Sequence, residues 1–92
     1  MIKSFRCKET TKVFRREQSR KFVNLYDVAF RKLLAINAAK ELRDLRVPPG
    51  NELEPLKGDR VGQHSIRVNN QFRICFVWKD GNAENVEIVD YH

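Results

Sequence analysis

The sequence predicts an α+β fold, with an N-terminal strand, two to three helices and a C-terminal three-stranded meander, the helices packing on one face of a small twisted, mainly antiparallel sheet. Three observations predict it. Apolar residues fall at helical spacing in the first half of the chain and alternate with polar ones in the second. Between the two regimes stands "VPPGN" (47–51), whose prolines and glycine end any helix. Further on, "KDGN" (79–82) separates two alternating runs, and Asp-Gly accepts the positive φ values that a type I′ hairpin turn needs.

Taken in order, Ile2, Phe5 and Cys7 alternate loosely and suit a first strand. Lys8 to Gln18 reads as a helix that sets Lys8, Lys12, Arg15 and Arg16 along one stripe, an arrangement able to lie along a phosphate backbone. Asn24 is the expected N-cap of the main core helix. Its apolar face is Leu25, Val28, Ala29, Leu33 and Ile36, widened by Phe30 and Leu34. Asn37 interrupts it, and "NAAKELRDL" gives a short further helical turn carrying Leu42 and Leu45. A loop of roughly a dozen residues runs to about Gly62. In the strand Gln63 to Val68, His64, Ile66 and Val68 share one face, while Gln63, Ser65 and Arg67 share the other. Asn69-Asn70 turns the chain. Phe72, Ile74, Phe76 and Trp78 then form the apolar face of a strand whose hairpin partner is Glu84 to Val89.

A chain of 92 residues is expected to form one domain spanning 1–92, since so short a chain buries too little surface for two cores. An apolar fraction of 41% with 33% charged residues excludes disorder, and no apolar run is long enough to cross a bilayer. The opening "MIKSFRCKETTK" lacks the apolar core of a signal peptide, so the expected compartment is the cytoplasm. Cys7 and Cys75 are too few for a disulfide framework and, each set within a strand-like run, are expected as reduced, packed thiols and not as partners of His64 and His92 in a metal site; no metal or cofactor is expected. The net charge of +6 is uneven: residues 1–46 carry +8 and residues 47–92 carry −2. Such a bias points to a polyanionic partner, most simply nucleic acid, against the plainer reading of a solvated basic face.

Several residues bear chemistry. Period two sends Arg73 to the face opposite Phe72 and Ile74, beside Arg67 of the preceding strand, and two guanidiniums there make a phosphate clamp. The plainer alternative is a solvated or salt-bridged arginine. Lys57, with Arg60, lies in the loop "EPLKGDRVG" (54–62) that feeds those strands, where Gly58-Asp59 alone would make an ordinary turn. Asp90, Tyr91 and His92 set an acid, a phenol and an imidazole side by side, and an imidazole titrates near neutrality. A plain polar tail is the alternative. His64 belongs to packing or the sheet rim. Trp78 and the phenylalanines belong to the core, not to a stacking platform for bases.

Three motifs in order, "LKGDRVG" (56–62), "SIRVNNQFRICF" (65–76) and the closing "DYH", resemble HigB-type toxins of the RelE/ParE superfamily, and with "MIKSFRCKE" the resemblance spans nearly the whole chain. It implies a small microbial-RNase-like α+β domain acting as a ribosome-dependent mRNA endonuclease and toxin. The implied partners are the 70S ribosome, mRNA and rRNA, and a HigA-like helix-turn-helix antitoxin through which alone operator DNA is met; no membrane is implied. By motif, Lys57, Arg73, Tyr91 and His92 become the active-site set, joined by Asp90. Lys8, Lys12, Arg15, Arg16, Arg60 and Arg67 become contacts to RNA or ribosome. Two departures stand out: Glu54 where relatives often have His, and Asn69 where they often have Arg. Cutting RNA without metal requires a base for the 2′-OH, cations on the phosphate oxygens and an acid for the leaving oxygen. The competing readings are a ParE-like toxin that binds DNA gyrase and a plain basic RNA-binding module.

Overall fold

The computed structural model describes residues 1–91. Its elements are α1 (Lys8–Phe14), α2 (Tyr26–Ala38), β1 (Glu54–Pro55), β2 (His64–Arg67), β3 (Phe72–Lys79) and β4 (Asn82–Asp90). The strands form one antiparallel sheet in the order β1-β2-β3-β4. Both helices cover the same sheet face. Val13 of α1 and Ala29, Leu33 and Ile36 of α2 are buried against Ile66, Ile74, Phe76, Val86 and Ile88. This is the helix-on-sheet arrangement that the change of apolar period predicts.

The β3–β4 hairpin turns on Asp80 and Gly81 with φ of 52° and 78°, the two positive angles a type I′ turn requires. Other elements differ from expectation. The first strand is reduced to two isolated parallel bridges, Ile2 to Ala83 and Phe5 to Val86, which still shield the β4 edge. There β4 carries a bulge: Asn85 takes φ 53° and gives its N–H to the Ser4 hydroxyl at 2.9 Å.

Helix α1 stops at Phe14, four residues short of Gln18. Arg16 takes φ 60° while the N–H groups of Arg16 and Glu17 reach back to the carbonyls of Val13 and Lys12, the paired bonds of a Schellman cap. Arg15 and Arg16 therefore lie outside the helix, and the expected four-cation stripe is broken after Lys12. For α2, a 3₁₀ turn (Val23–Leu25) leads in, so Asn24 is not the cap, and no side chain caps it. Leu34 is 44% exposed instead of joining the core.

The stretch expected as a bare loop is partly built. A 3₁₀ turn over Leu42–Arg46 replaces the further helical turn; the Asp44 carboxylate accepts the N–H groups of Lys40 and Glu41, each at 3.0 Å, and Leu45 is buried. Fully buried Asn51 gives its amide N–H groups to the carbonyls of Leu45 and Val47 and accepts from Lys32. This pins residues 45–51 to α2 and brings the chain to the free edge of β2, where Glu54 and Pro55 pair as β1. No helix among the described residues is long and apolar enough to cross a membrane. Cys75 is buried and Cys7 partly buried, both as free thiols.

Candidate active site

Alternation along the strands decides what the second face of the sheet carries. With Ile66, Ile74 and Ile88 in the core, their neighbours form two cross-strand rows on the other side. One row is Glu54, Ser65, Cys75 and Glu87; the next is Arg67, Arg73 and Val89. Two of the residues singled out from sequence, Arg67 and Arg73, are thus direct cross-strand partners.

Arg73 lies on the face that alternation predicts, but it is buried there, at 9% exposed. Its side chain reaches over β2 to Glu52 and Glu54 at the sheet edge. Its Nε donates to the Ser65 hydroxyl at 2.7 Å, and a terminal nitrogen donates to the Glu52 carbonyl and to that of Ser65. Two carboxylates complete the shell, Glu54 at 3.7 Å and Glu52 at 3.9 Å. Glu52 reaches this position because its backbone is left-handed, with φ 45°. Its other carboxylate oxygen lies 3.6 Å from Arg67 Nε, so one carboxylate stands between two guanidiniums. Arg67 also donates to Asn70.

Lys57, Tyr91 and Glu54 line one shallow pocket of about 270 Å³ together with Pro55 and Leu56. Lys57 is presented by the tight turn Gly58–Arg60, which Gly58 permits with φ 63°. The Tyr91 N–H is held by the Gln71 carbonyl, which fixes Tyr91 where β4 ends. Arg60 is a brace. It donates to the Glu87 carboxylate at 2.8 Å and to Gln63 at 3.1 Å, and the Glu87 contact, chiefly, raises its pKa above the ordinary arginine value. The same brace fastens the Lys57 loop onto the sheet. Beneath it, burial pushes the Cys75 thiol pKa up.

The remaining residues fall elsewhere. Asp90 pairs with Phe72, so its side chain leaves on the helix side of the sheet, where it accepts from Gln71 at 3.1 Å. His92 lies outside the described residues. Lys12 is paired with Glu9 at 2.9 Å, and Lys12 and Ser19 together hold the Glu9 carboxyl below its usual range. Arg16 is tied to α2 by Asp27 at 3.4 Å and by the Phe30 ring at 4.3 Å. Lys8 and Arg15 are exposed. None of these four cations lines the Lys57–Tyr91 pocket. Asn69 accepts the N–H groups of Gln71 and Phe72, each at 2.8 Å, and so serves the β2–β3 turn. His64 sits by Leu42, Leu53 and Pro55 at the sheet rim, as expected. Among the described residues no three His, Cys, Asp or Glu side chains are grouped to hold a metal ion. Sequence reasoning missed Ser65 and Glu52 as holders of Arg73. Alternation already set Ser65 beside that arginine, whereas nothing local announced the left-handed Glu52.

Fold and face together define a small α+β protein that shields its core with helices on one side and gathers cations, a carboxylate and a phenol on the other. The sequence model of the HigB-like toxins, described as the RelE-like toxin of type II toxin-antitoxin system HigB, matches residues 3–92, and the chain belongs to that family. Toxin HigB-1 of Vibrio cholerae serotype O1 is 48% identical over 62 residues, which cover 67% of this chain and 65% of that protein. Endoribonuclease HigB of Proteus vulgaris is 41% identical over 61 residues, 66% of this chain and 65% of the relative. The matched segments thus span just under two thirds of each relative's length. A chain of the YoeB-YefM complex from Staphylococcus aureus shares the fold, with a TM-score of 0.61 at 17% identity over 100% of this chain and 98% of that one.

Proposed function

We propose that residues 1–92 act as one toxin domain, an endoribonuclease that cuts mRNA on the translating ribosome and is neutralised by a HigA-like antitoxin in the cytoplasm. The observation that carries this reading is the meeting of Lys57, Tyr91 and Glu54 around one pocket beside the Arg67–Arg73 pair. Membership of a toxin family and the likeness to a relative named as an endoribonuclease support it.

The reaction needs no group beyond those of the chain and RNA. The Glu54 carboxylate takes the proton of the 2′-OH. The 2′-oxygen attacks the adjacent phosphorus in line as the bond to the 5′-oxygen breaks. His92, next in sequence to Tyr91, gives that leaving oxygen its proton, so the products are a 2′,3′-cyclic phosphate and a 5′-OH end. Lys57 and Arg73 hold the charge developing on the non-bridging oxygens. Tyr91 orients His92 and stacks on a base. Asp90, on the far side of the sheet, anchors the last strand through Gln71 and takes no part in proton transfer.

Primer extension on an mRNA translated by purified ribosomes tests this. Cuts within codons, far faster on ribosome-bound message than on free RNA, are the expected result. Intact message combined with failure of gyrase to supercoil relaxed plasmid would replace the reading with gyrase inhibition. Stable RNA binding with neither effect would leave a binding module.

A further inference from the structure

We propose that the position held by the Glu52 carboxylate, between the guanidiniums of Arg67 and Arg73, is a phosphodiester subsite that RNA enters by displacing Glu52. The inference rests on the ribonuclease reading and extends it to how the RNA backbone is seated.

Two guanidiniums directly opposite on neighbouring strands repel one another and call for an anion between them. Glu52 supplies it, but weakly. Its oxygens stand 3.6 and 3.9 Å from the nearest guanidinium nitrogens, beyond the roughly 2.7–2.9 Å of a charge-assisted hydrogen bond, and its side chain is 60% exposed. Arg73, by contrast, is aimed by groups that stay when the carboxylate leaves: the Ser65 hydroxyl, the Ser65 carbonyl and the backbone carbonyl of Glu52. Asn70 holds Arg67 in the same way. The clamp is therefore set in advance, and only its present anion is loose. A phosphodiester has two non-bridging oxygens, one for each guanidinium.

The surroundings favour a polyanion of regular spacing. On one side lies the Lys57–Tyr91 pocket, joined to the clamp through Glu54 and Arg73. On the other, Arg67 lines a groove of about 450 Å³ with Arg31 and Lys32. Cations thus continue along the surface past the clamp, as the backbone of an RNA flanking the cut would need.

The test measures binding, without cleavage. An end-labelled single-stranded RNA bearing 2′-O-methyl groups, which cannot be cut, is titrated with the full chain and followed by fluorescence anisotropy. Glu52→Gln keeps the side-chain volume and the carbonyl that holds Arg73, and should tighten binding about three- to tenfold by removing the competing charge. Arg67→Ala should weaken binding and, combined with Glu52→Gln, should abolish the gain. Should Glu52→Gln lose its thermal transition, Glu52→Asp, whose carboxylate is drawn back from the clamp, must show a smaller gain of the same sign. Unchanged or weaker binding by the folded variant overturns the subsite, as does a gain that survives Arg67→Ala. A gain seen for poly-glutamate and not for RNA also overturns it. Because cleavage is not read, a negative primer-extension result would count against the ribonuclease reading and leave this outcome intact.

Discussion

Arg73 shows how a single residue can serve both the fold and the chemistry. Its guanidinium is buried and shared among Ser65, Glu52 and Glu54, so Arg73→Ala removes the donor that the Ser65 hydroxyl and the Glu52 carbonyl accept from. Such a loss costs about 1–3 kcal/mol. We expect Arg73→Ala to lower the urea midpoint as well as to remove toxicity, and Arg73→Lys to recover part of the stability but little activity, because an ammonium cannot reproduce the fork. An alanine variant as stable as the parent would show that these bonds contribute nothing net. Cys75, two residues on, gives a pH test. Burial raises its thiol pKa, so above the ordinary thiol range, about 8.5, the unfolded chain ionises while the folded one stays protonated. Its contribution is complete below that range and is lost as pH rises through the folded value. The urea midpoint should therefore fall between about pH 7 and about pH 9.5, and fall less in Cys75→Ala.

At the scale of elements, the Lys57 loop depends on its fastening. Gly58 at φ 63° makes the turn, and the Arg60–Glu87 pair ties it to β4. Neither residue touches the Lys57–Tyr91 pocket directly. Glu87→Gln should therefore leave Lys57 less well placed and lower kcat on translated mRNA about tenfold while KM moves little, the pattern of a positioning contact. An equal change in both, with a matching loss of stability, would make the brace purely structural. Gly58→Ala should cost about 1 kcal/mol, since alanine is strained in the left-handed region. Helix α1 carries a different lesson. Once its Schellman cap removes Arg15 and Arg16 from the helical repeat, the cations of 8–16 form a cluster around a turn, partly neutralised by Glu9 and Asp27.

The whole molecule is polarised in charge as well as in chemistry. The +8 of residues 1–46 far exceeds what one scissile phosphate needs, which agrees with an extended RNA partner. Reversing Lys12, Arg15 and Arg16 to Glu should weaken ribosome association and flatten its salt dependence, measured by co-sedimentation at several salt concentrations. Slow cutting of free RNA should be unaffected, because these residues lie away from the Lys57–Tyr91 pocket. Equal loss of both activities would place the cluster in the cutting site. His92→Gln, in turn, should leave the thermal transition nearly unchanged and lower cutting by about a hundredfold or more, the usual worth of proton transfer assistance. Retained cutting would move that proton to Tyr91.

By itself the sequence determined the change from helical to alternating period, the Asp80-Gly81 hairpin, the core made by Leu33, Ile36, Ile66, Ile74 and Phe76, and the motifs that mark the family. Each is written in local spacing or turn chemistry, which neighbouring residues suffice to specify. Tertiary structure alone decided the rest. Helix α1 looked longer because its cations keep helical spacing past Phe14, while the cap that ends it rests on backbone bonds that spacing does not encode. The burial of Arg73 was not legible, because alternation assigns it a face but cannot say what will cover that face. The cover is Glu52 and Glu54, carried there by a segment pinned through Asn51 to a helix many residues earlier in the chain. Long-range hydrogen bonding of this kind depends on where separate elements come to rest against one another, and it is what turned a row of charged residues into a site.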